Sequence, residues 1–376
     1  MKFQNINRRT RDSIEWVYHL MNSPPNPDAE IQTTNRKRMK RNLIATIEDA
    51  GQMYIDVHQG EVSPATIHTY DNAIKHLVRF FGANMPIKEL TYEHAERFRG
   101  NLFVYKRYAA SKHSNYRYDG KNLSPATIRQ ILKCCRAIFA FIVKIDRMDF
   151  NPFDRVKLPK QDKKAIKYIP MEDIEKLLKQ AERPVKYRKH DSLHVLRDVA
   201  LVSALISTGC RVGGVASMTL SNLKFDGDKG TATVREKGSG AGRYRDVFLS
   251  ESASLAMMYW LEARPKTFGH DFIFVGLNKG IKDPPPLGES GIYLVLKRLK
   301  KRWNEWCKKA PCEPIESAVN PHVFRHTFIK NMIRDGVPEG AIADMAGHTV
   351  KVMREEYGHL FIEDLRDMHS SASWLK

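Results

Sequence analysis

Residues 321–360 read PHVFRHTFIKNMIRDGVPEGAIADMAGHTVKVMREEYGHL, and the organisation of the chain is read outward from them. They hold His322 and Arg325 three positions apart, then Gly347-His348, then Tyr357 nine positions beyond that histidine. An arginine can grip a phosphate, a histidine can hydrogen-bond or carry a proton, and a phenol can attack. Together they imply chemistry on a phosphodiester. Each piece alone is ordinary: an H-x-x-R pair on a helix is usually a surface or capping pair, and a lone tyrosine is usually core or rim. The combination is what carries weight.

Upstream of this stretch, residues 193–207 are apolar on nearly all sides, which predicts a buried helix ending at Thr208-Gly209-Cys210-Arg211. Pro170 opens another helix, with Ile174, Leu177 and Leu178 as its apolar face. Period-two runs at residues 231–235, 244–249 and 271–275 predict short strands. The first two are joined by a glycine-rich turn at residues 238–242. Helices are expected again over residues 257–263 and 294–307. The C-terminal half is therefore mostly helical with a small antiparallel sheet.

The N-terminal half is expected to be a small helical bundle. Ser63-Pro64-Ala65-Thr66 has the form of a helix start, with serine accepting from orphan amides and proline where no amide proton is needed. Ile67, Tyr70, Ile74, Leu77, Val78 and Phe81 then share a face, and Gly82 ends the run. The same start recurs at Ser124, before a second stripe that includes Ile128, Ile131, Leu132, Cys135 and Ile138. A further helix is expected over residues 92–105. Before the bundle lie a short helix within residues 1–21, a proline-rich break at 22–30 and the basic run RKRMKR at 36–41. Residues 106–121 mix basic side chains with Tyr108, Tyr116 and Tyr118, a composition that suits either a solvated loop or nucleic-acid contact. Asn151-Pro152 closes the bundle, and a charged linker follows. The expected domains are thus an extension at 1–42, a helical domain at 43–157, a linker at 158–168 and a C-terminal domain at 169–376.

The chain has 376 residues, enough for two or three domains. It carries 62 Lys+Arg against 43 Asp+Glu, a net charge of +19, which favours a polyanionic partner through counterion release. No long apolar run and no strongly basic amphipathic helix points to a membrane. The first residues lack the apolar core of a signal peptide. The five cysteines (Cys134, Cys135, Cys210, Cys307 and Cys312) are odd in number and without C-x-x-C spacing. They suit neither a disulfide framework nor a zinc site, so a reducing, cytoplasmic setting is expected.

Thr208-Gly-x-Arg211 after a buried helix, a lysine in a following hairpin, His322-x-x-Arg325, Gly347-His348 and Tyr357 together resemble the tyrosine recombinases of the phage integrase family. The resemblance covers nearly the whole chain. It implies a helical core-binding domain and an α+β catalytic domain that close around double-stranded DNA as a C-shaped clamp. Tyr357 would be the nucleophile, forming a 3′-phosphotyrosyl link and freeing a 5′-hydroxyl. His322 is the family's usual candidate for the base. Arg211 and Arg325 would clamp the non-bridging oxygens, with His348 a further donor. The general acid would be a hairpin lysine, for which Lys237 fits best, with Lys224 and Lys229 nearby. His326 and His359 read as supporting residues. One position departs from the pattern: the acidic residue commonly found three after the first arginine is Gly214 here, which puts the support of Arg211 in question.

Two arginines and a lysine supply the charge a divalent ion would bring. The sequence has no Asp/Glu cluster at ligand spacing and no Gly-x-x-x-x-Gly-Lys-Ser/Thr loop, so no metal, cofactor or ATP is expected. The resemblance further implies a homotetramer on DNA, with residues 362–375 docking on a neighbour. The competing readings are a type IB topoisomerase or telomere resolvase, and a DNA-binding regulator that lost the chemistry.

Overall fold

The computed structural model describes residues 45–106, 120–160, 165–183, 191–236, 243–267, 269–277 and 282–371. The chain divides into two compact units, Met1–Lys163 and Lys164–Lys376.

The first unit packs α1 (Ile47–His58), α2 (Pro64–Phe81), α3 (Tyr92–Val104) and α4 (Pro125–Lys144). Their starts are chemically determined. Thr46 and Asp49 form a reciprocal capping box at α1. Ser63 and Ser124 cap α2 and α4 by accepting from Thr66 N and Thr127 N, each with proline at the first helical position. Gly82 ends α2 with φ of 89°, a conformation open to glycine. The predicted stripes meet in one core, where Phe98, Phe139 and Phe153 are fully buried and Phe139 stacks on Phe153 at 5.2 Å. The closing turn is tied by Asn151, which donates to Arg136 O and accepts from Phe153 N.

The second unit runs α5 (Met171–Ala181), α6 (Asp191–Thr208), α7 (Val212–Ala216), β1 (Leu223–Asp226), β2 (Lys229–Glu236) and β3 (Arg243–Leu249). Then come α8 (Glu251–Ala263), α9 (Glu289–Cys307), α10 (Pro321–Arg334), α11 (Glu339–Ala346) and α12 (Val350–Ser371). The sheet is a meander in the order β1-β2-β3, both pairs antiparallel, with Val234 opposite Arg245. Its inward residues, Ala232, Val234, Val247 and Leu249, join the main core with Trp260, Phe274 and Phe324. Helix α6 is as buried as its composition predicts, yet it also buries an ion pair. Asp198 takes Arg197 at 2.6 Å on one oxygen and Arg298 at 2.7 Å on the other, so its charge is matched.

Two expectations are corrected. Residues 271–275 are not a strand of the sheet, whose third member is β1. Their alternation reflects core burial: Ile273 donates to Met218 O and accepts from Trp260 Nε1, and isolated bridges pair Phe272 with Thr219 and Val275 with Pro286, the latter having no N–H to extend a ladder. The cysteines also include a disulfide, Cys307–Cys312, closing a short loop after α9; Cys134, Cys135 and Cys210 are free and buried. The expectation of a reducing compartment therefore loses its support from the cysteines. The helix predicted within 1–21, the run at 36–41, the tyrosines of 107–119 and Lys237 with its turn lie outside the described residues. No helix among the described residues is long and apolar enough to cross a membrane.

Candidate active site

A second, smaller core in the C-terminal unit holds Phe328, Ile329, Ile333, Ile342, Met353 and Tyr357 where α10, α11 and α12 meet. Tyr357 is 0% exposed. The side chains that surround its hydroxyl are set by three local devices.

The first is the turn after α6. Thr208 Oγ1 donates to Ala204 O and accepts from Cys210 N, bending the chain away from the helix. Gly209 takes φ of +55°, and a Cβ there would stand 2.2 Å from the Phe328 ring. Only glycine meets both demands. Its carbonyl accepts from Arg325 Nη1 at 2.9 Å, and Arg211 follows as the residue before α7.

The second device is the start of α10. Asn320 accepts from His322 N and Val323 N with Pro321 at the first turn, a strong helix start. The helix period then stacks His322, Arg325 and His326 along neighbouring rows. Arg325 is 3% exposed. Thr327 Oγ1 accepts from Ile169 N at 2.9 Å, which fixes the entry to α5 against the same helix and brings Tyr168 near the site.

The third is the end of α11. Gly347 caps it in the left-handed conformation, φ 64° and ψ 44°, and His348 N returns to Ala343 O. Arg211 Nη1 donates to Gly347 O at 3.4 Å, and Arg245 of β3 donates to Met345 O. The same turn thus aims His348 and anchors two arginines. Burial, then Arg325, Arg211, His326 and Arg245, push His348 down to about 3, so its imidazole is neutral at physiological pH. Its Nδ1 is buried with no hydrogen-bond partner among the described residues.

At the centre, Tyr357 Oη lies 2.5 Å from His326 Nδ1. Burial holds the Tyr357 phenol well above its ordinary range, assisted by Glu356 and opposed by Arg325 and Arg211. Burial, then His322 and Arg325, lower His326. Both groups are therefore neutral near pH 7, and the phenol O–H donates to the imidazole.

Of the residues singled out from sequence, Arg211, Arg325, His348 and Tyr357 are brought together. His322 is exposed on the first turn of α10, and its side chain makes no hydrogen bond among the described residues. His359 is exposed. Gly214 packs where a Cβ would meet Cys210 at 3.2 Å and Val234 at 3.6 Å, so an acidic side chain would enter an apolar wall. Support for Arg211 comes from the Gly347 carbonyl instead. Arg245 was not anticipated, and His326, expected as a supporting residue, makes a contact that was not. Arg245 lay hidden in a strand whose alternation signalled only a sheet, and the contact of His326 with the phenol depends on how α10 meets α12, which no local spacing encodes.

Residues 167–363 match the phage integrase family, and residues 47–161 match the phage integrase SAM-like domain. The chain belongs to the phage integrase family and is a tyrosine-type site-specific recombinase. Among curated relatives, it is 26% identical over 258 residues to tyrosine recombinase XerC of Bacillus subtilis (strain 168), spanning 67% of this chain and 76% of that protein. It is 23% identical over 321 residues to tyrosine recombinase XerD of Listeria monocytogenes serovar 1/2a, spanning 84% of this chain and 94% of that one. Its fold is similar to that of the Tn1549 transposon integrase in complex with transposon right end DNA, with a TM-score of 0.62 at 20% identity over 87% of this chain and 100% of that one. A lambda integrase dimer bound to a COC′ core site is similar at a TM-score of 0.56 and 14% identity, over 93% and 87% of the two chains.

Proposed function

We propose that the protein cuts and rejoins double-stranded DNA at specific sites through a covalent link between Tyr357 and a 3′-phosphate. The observation that carries this reading is the convergence of Arg211, Arg325 and His348 around one buried tyrosine hydroxyl. Tyr357 Oη attacks the scissile phosphorus as the bond to the 5′-oxygen breaks. Two guanidiniums, each held by a backbone carbonyl, are suited to gather the charge that builds on the non-bridging oxygens. Neutral His348 donates to the same phosphate. Lys237 protonates the leaving oxygen, and His322 takes the phenolic proton. The reaction is reversible because the phosphodiester energy is kept in the tyrosyl link, so another 5′-hydroxyl can rejoin the strand.

In the same reading the protein binds duplex DNA, four copies assemble on paired sites, and residues 362–375 dock on a neighbouring copy. The charge of +19 supports the polyanionic partner. The steps are assigned to protein side chains, and neither a metal nor ATP is required.

Covalent trapping tests this. The protein is incubated with a nicked duplex carrying the DNA that flanks its own coding region, with chelator present, and run on a denaturing gel. A protein–DNA adduct is expected with the wild type and none with Tyr357→Phe. An adduct retained by Tyr357→Phe refutes the assignment of the nucleophile.

A further inference from the structure

We infer that Arg245 is a positioning residue for the proposed reaction: from β3 it holds the C-terminal turn of α11 and so aims His348. This rests on His348 and Tyr357 acting at the scissile phosphate, as read above.

The position of Arg245 in its strand is the first observation. Every second residue of β3 faces the core, where Val247 and Leu249 are buried. Arg245 is the next residue on that face, half-buried and opposite the buried Val234 of β2. The inward positions of this strand otherwise hold aliphatic side chains. A guanidinium placed there gives up hydration, which costs free energy unless it finds acceptors. It finds one 100 residues away, donating through Nη1 to Met345 O.

That acceptor belongs to the turn that carries His348. Met345 lies in the last turn of α11, and the residue four beyond it, Thr349, is outside the helix, so no helical amide serves its carbonyl. Gly347 N and His348 N fold back onto Asp344 O and Ala343 O. Gly347 O in turn accepts from Arg211 Nη1 at 3.4 Å. Two guanidiniums, one after α6 and one from the sheet, therefore take carbonyls at the end of a helix whose dipole favours cations. His348 follows directly. Its Nδ1 is buried without a hydrogen-bond partner among the described residues, so no tether at that atom sets the ring. The direction of the ring is inherited from the backbone turn, and Arg245 ties that turn to the sheet. Arg211 is read above as gripping phosphate too, which leaves Arg245 as the hold that does not depend on substrate.

The test is single-turnover adduct formation at saturating DNA, on a nicked duplex with the ordinary 5′-oxygen at the scissile bond and on one with sulfur in its place. The thiolate leaves without a proton, so on the second duplex the general acid drops out of the rate. Arg245→Met keeps the apolar stem and removes the donor. It should slow adduct formation by about 10–100-fold on both duplexes, the loss of one charged hydrogen bond, while DNA affinity stays within about threefold. Arg245→Lys can still donate and should return to within about fivefold of wild type. In a His348→Ala background Arg245→Met should cost less than about threefold, because the group it aims is already gone. If the urea midpoint shows that Arg245→Met does not fold, Arg245→Gln replaces it in the same cycle, its amide ending two bonds short of Nη1. The inference is overturned if the loss is as large in the His348→Ala background, or if it appears in DNA affinity rather than rate. It is equally overturned if sulfur restores Arg245→Met to the wild-type rate, which would place its action on the general acid, or if Arg245→Lys is as slow as Arg245→Met. An adduct from Tyr357→Phe, or a wild-type rate for His348→Ala alone, would instead sink the underlying reading, a separate result.

Discussion

Gly209→Ala is the sharpest perturbation the structure offers, because two independent penalties fall on one methyl group. Gly209 has φ of +55°, where an L-residue costs about 1–2 kcal/mol. The added Cβ would also stand 2.2 Å from Phe328 Cδ1, and Phe328 is packed in the core that holds Tyr357. Relieving that contact by backbone and ring shifts costs about 1–3 kcal/mol. The sum is about 2–5 kcal/mol, a large share of the roughly 5–15 kcal/mol that a domain has in total. The assay is urea denaturation followed by tryptophan emission, since Trp260, Trp303 and Trp306 all belong to the C-terminal unit. A double-mutant cycle with Phe328→Ala separates the two terms. In that background the ring is gone, so the cost of Gly209→Ala should fall to about 1–2 kcal/mol, the backbone part alone. The reasoning is refuted if Gly209→Ala costs under about 0.5 kcal/mol, or if its cost is unchanged when Phe328 is already alanine.

Other substitutions test the remaining devices. Arg325→Lys keeps the charge but loses the fork that reaches Gly209 O, so covalent trapping should slow by about 10²–10³ while the urea midpoint moves far less than for Gly209→Ala. His348, held down at about 3, binds its proton in the unfolded chain first, so stability should fall as pH drops from about 6.5 toward 3. Replacing it with glutamine should flatten that slope in pH-dependent denaturation, and an unchanged slope would show the imidazole is not held neutral. Thiol titration should find three protein thiols, all unreactive until denaturant is added, and reductant should expose two more. Opening the Cys307–Cys312 loop should cost about 2 kcal/mol on the chain-entropy account for so short a ring, read as a shifted urea midpoint.

The helical architecture was legible because its punctuation is local. Two serines before proline, Gly82 after a stripe and Pro170 before another each satisfy or deny backbone groups within a few residues, and each marks its helix end in the structure. Residues 271–275 misled for the opposite reason: alternation reports which side chains are buried, and a segment threaded through a core alternates as readily as a strand. The site was half legible. Arg211, Arg325, His348 and Tyr357 announce themselves by type and spacing. Arg245 and the contact of His326 with the phenol enter only through elements far apart in sequence, and the Gly347 carbonyl that supports Arg211 has no side chain to be recognised by.

The complete burial of Tyr357 has a consequence for fidelity. With Tyr357 as the proposed nucleophile, a phenol shut inside a helix junction must be freed before it can attack, which would keep breaks off random DNA. On that reading release would draw on contacts made at the proper site, and each 1.4 kcal/mol favouring the shut arrangement lowers the open fraction about tenfold. Sequence discrimination then acts twice, once on residence and again on freeing the reactive oxygen. Weakening the junction around Met353 and Ile342 would therefore trade accuracy for speed, producing a faster enzyme that nicks where it should only rest.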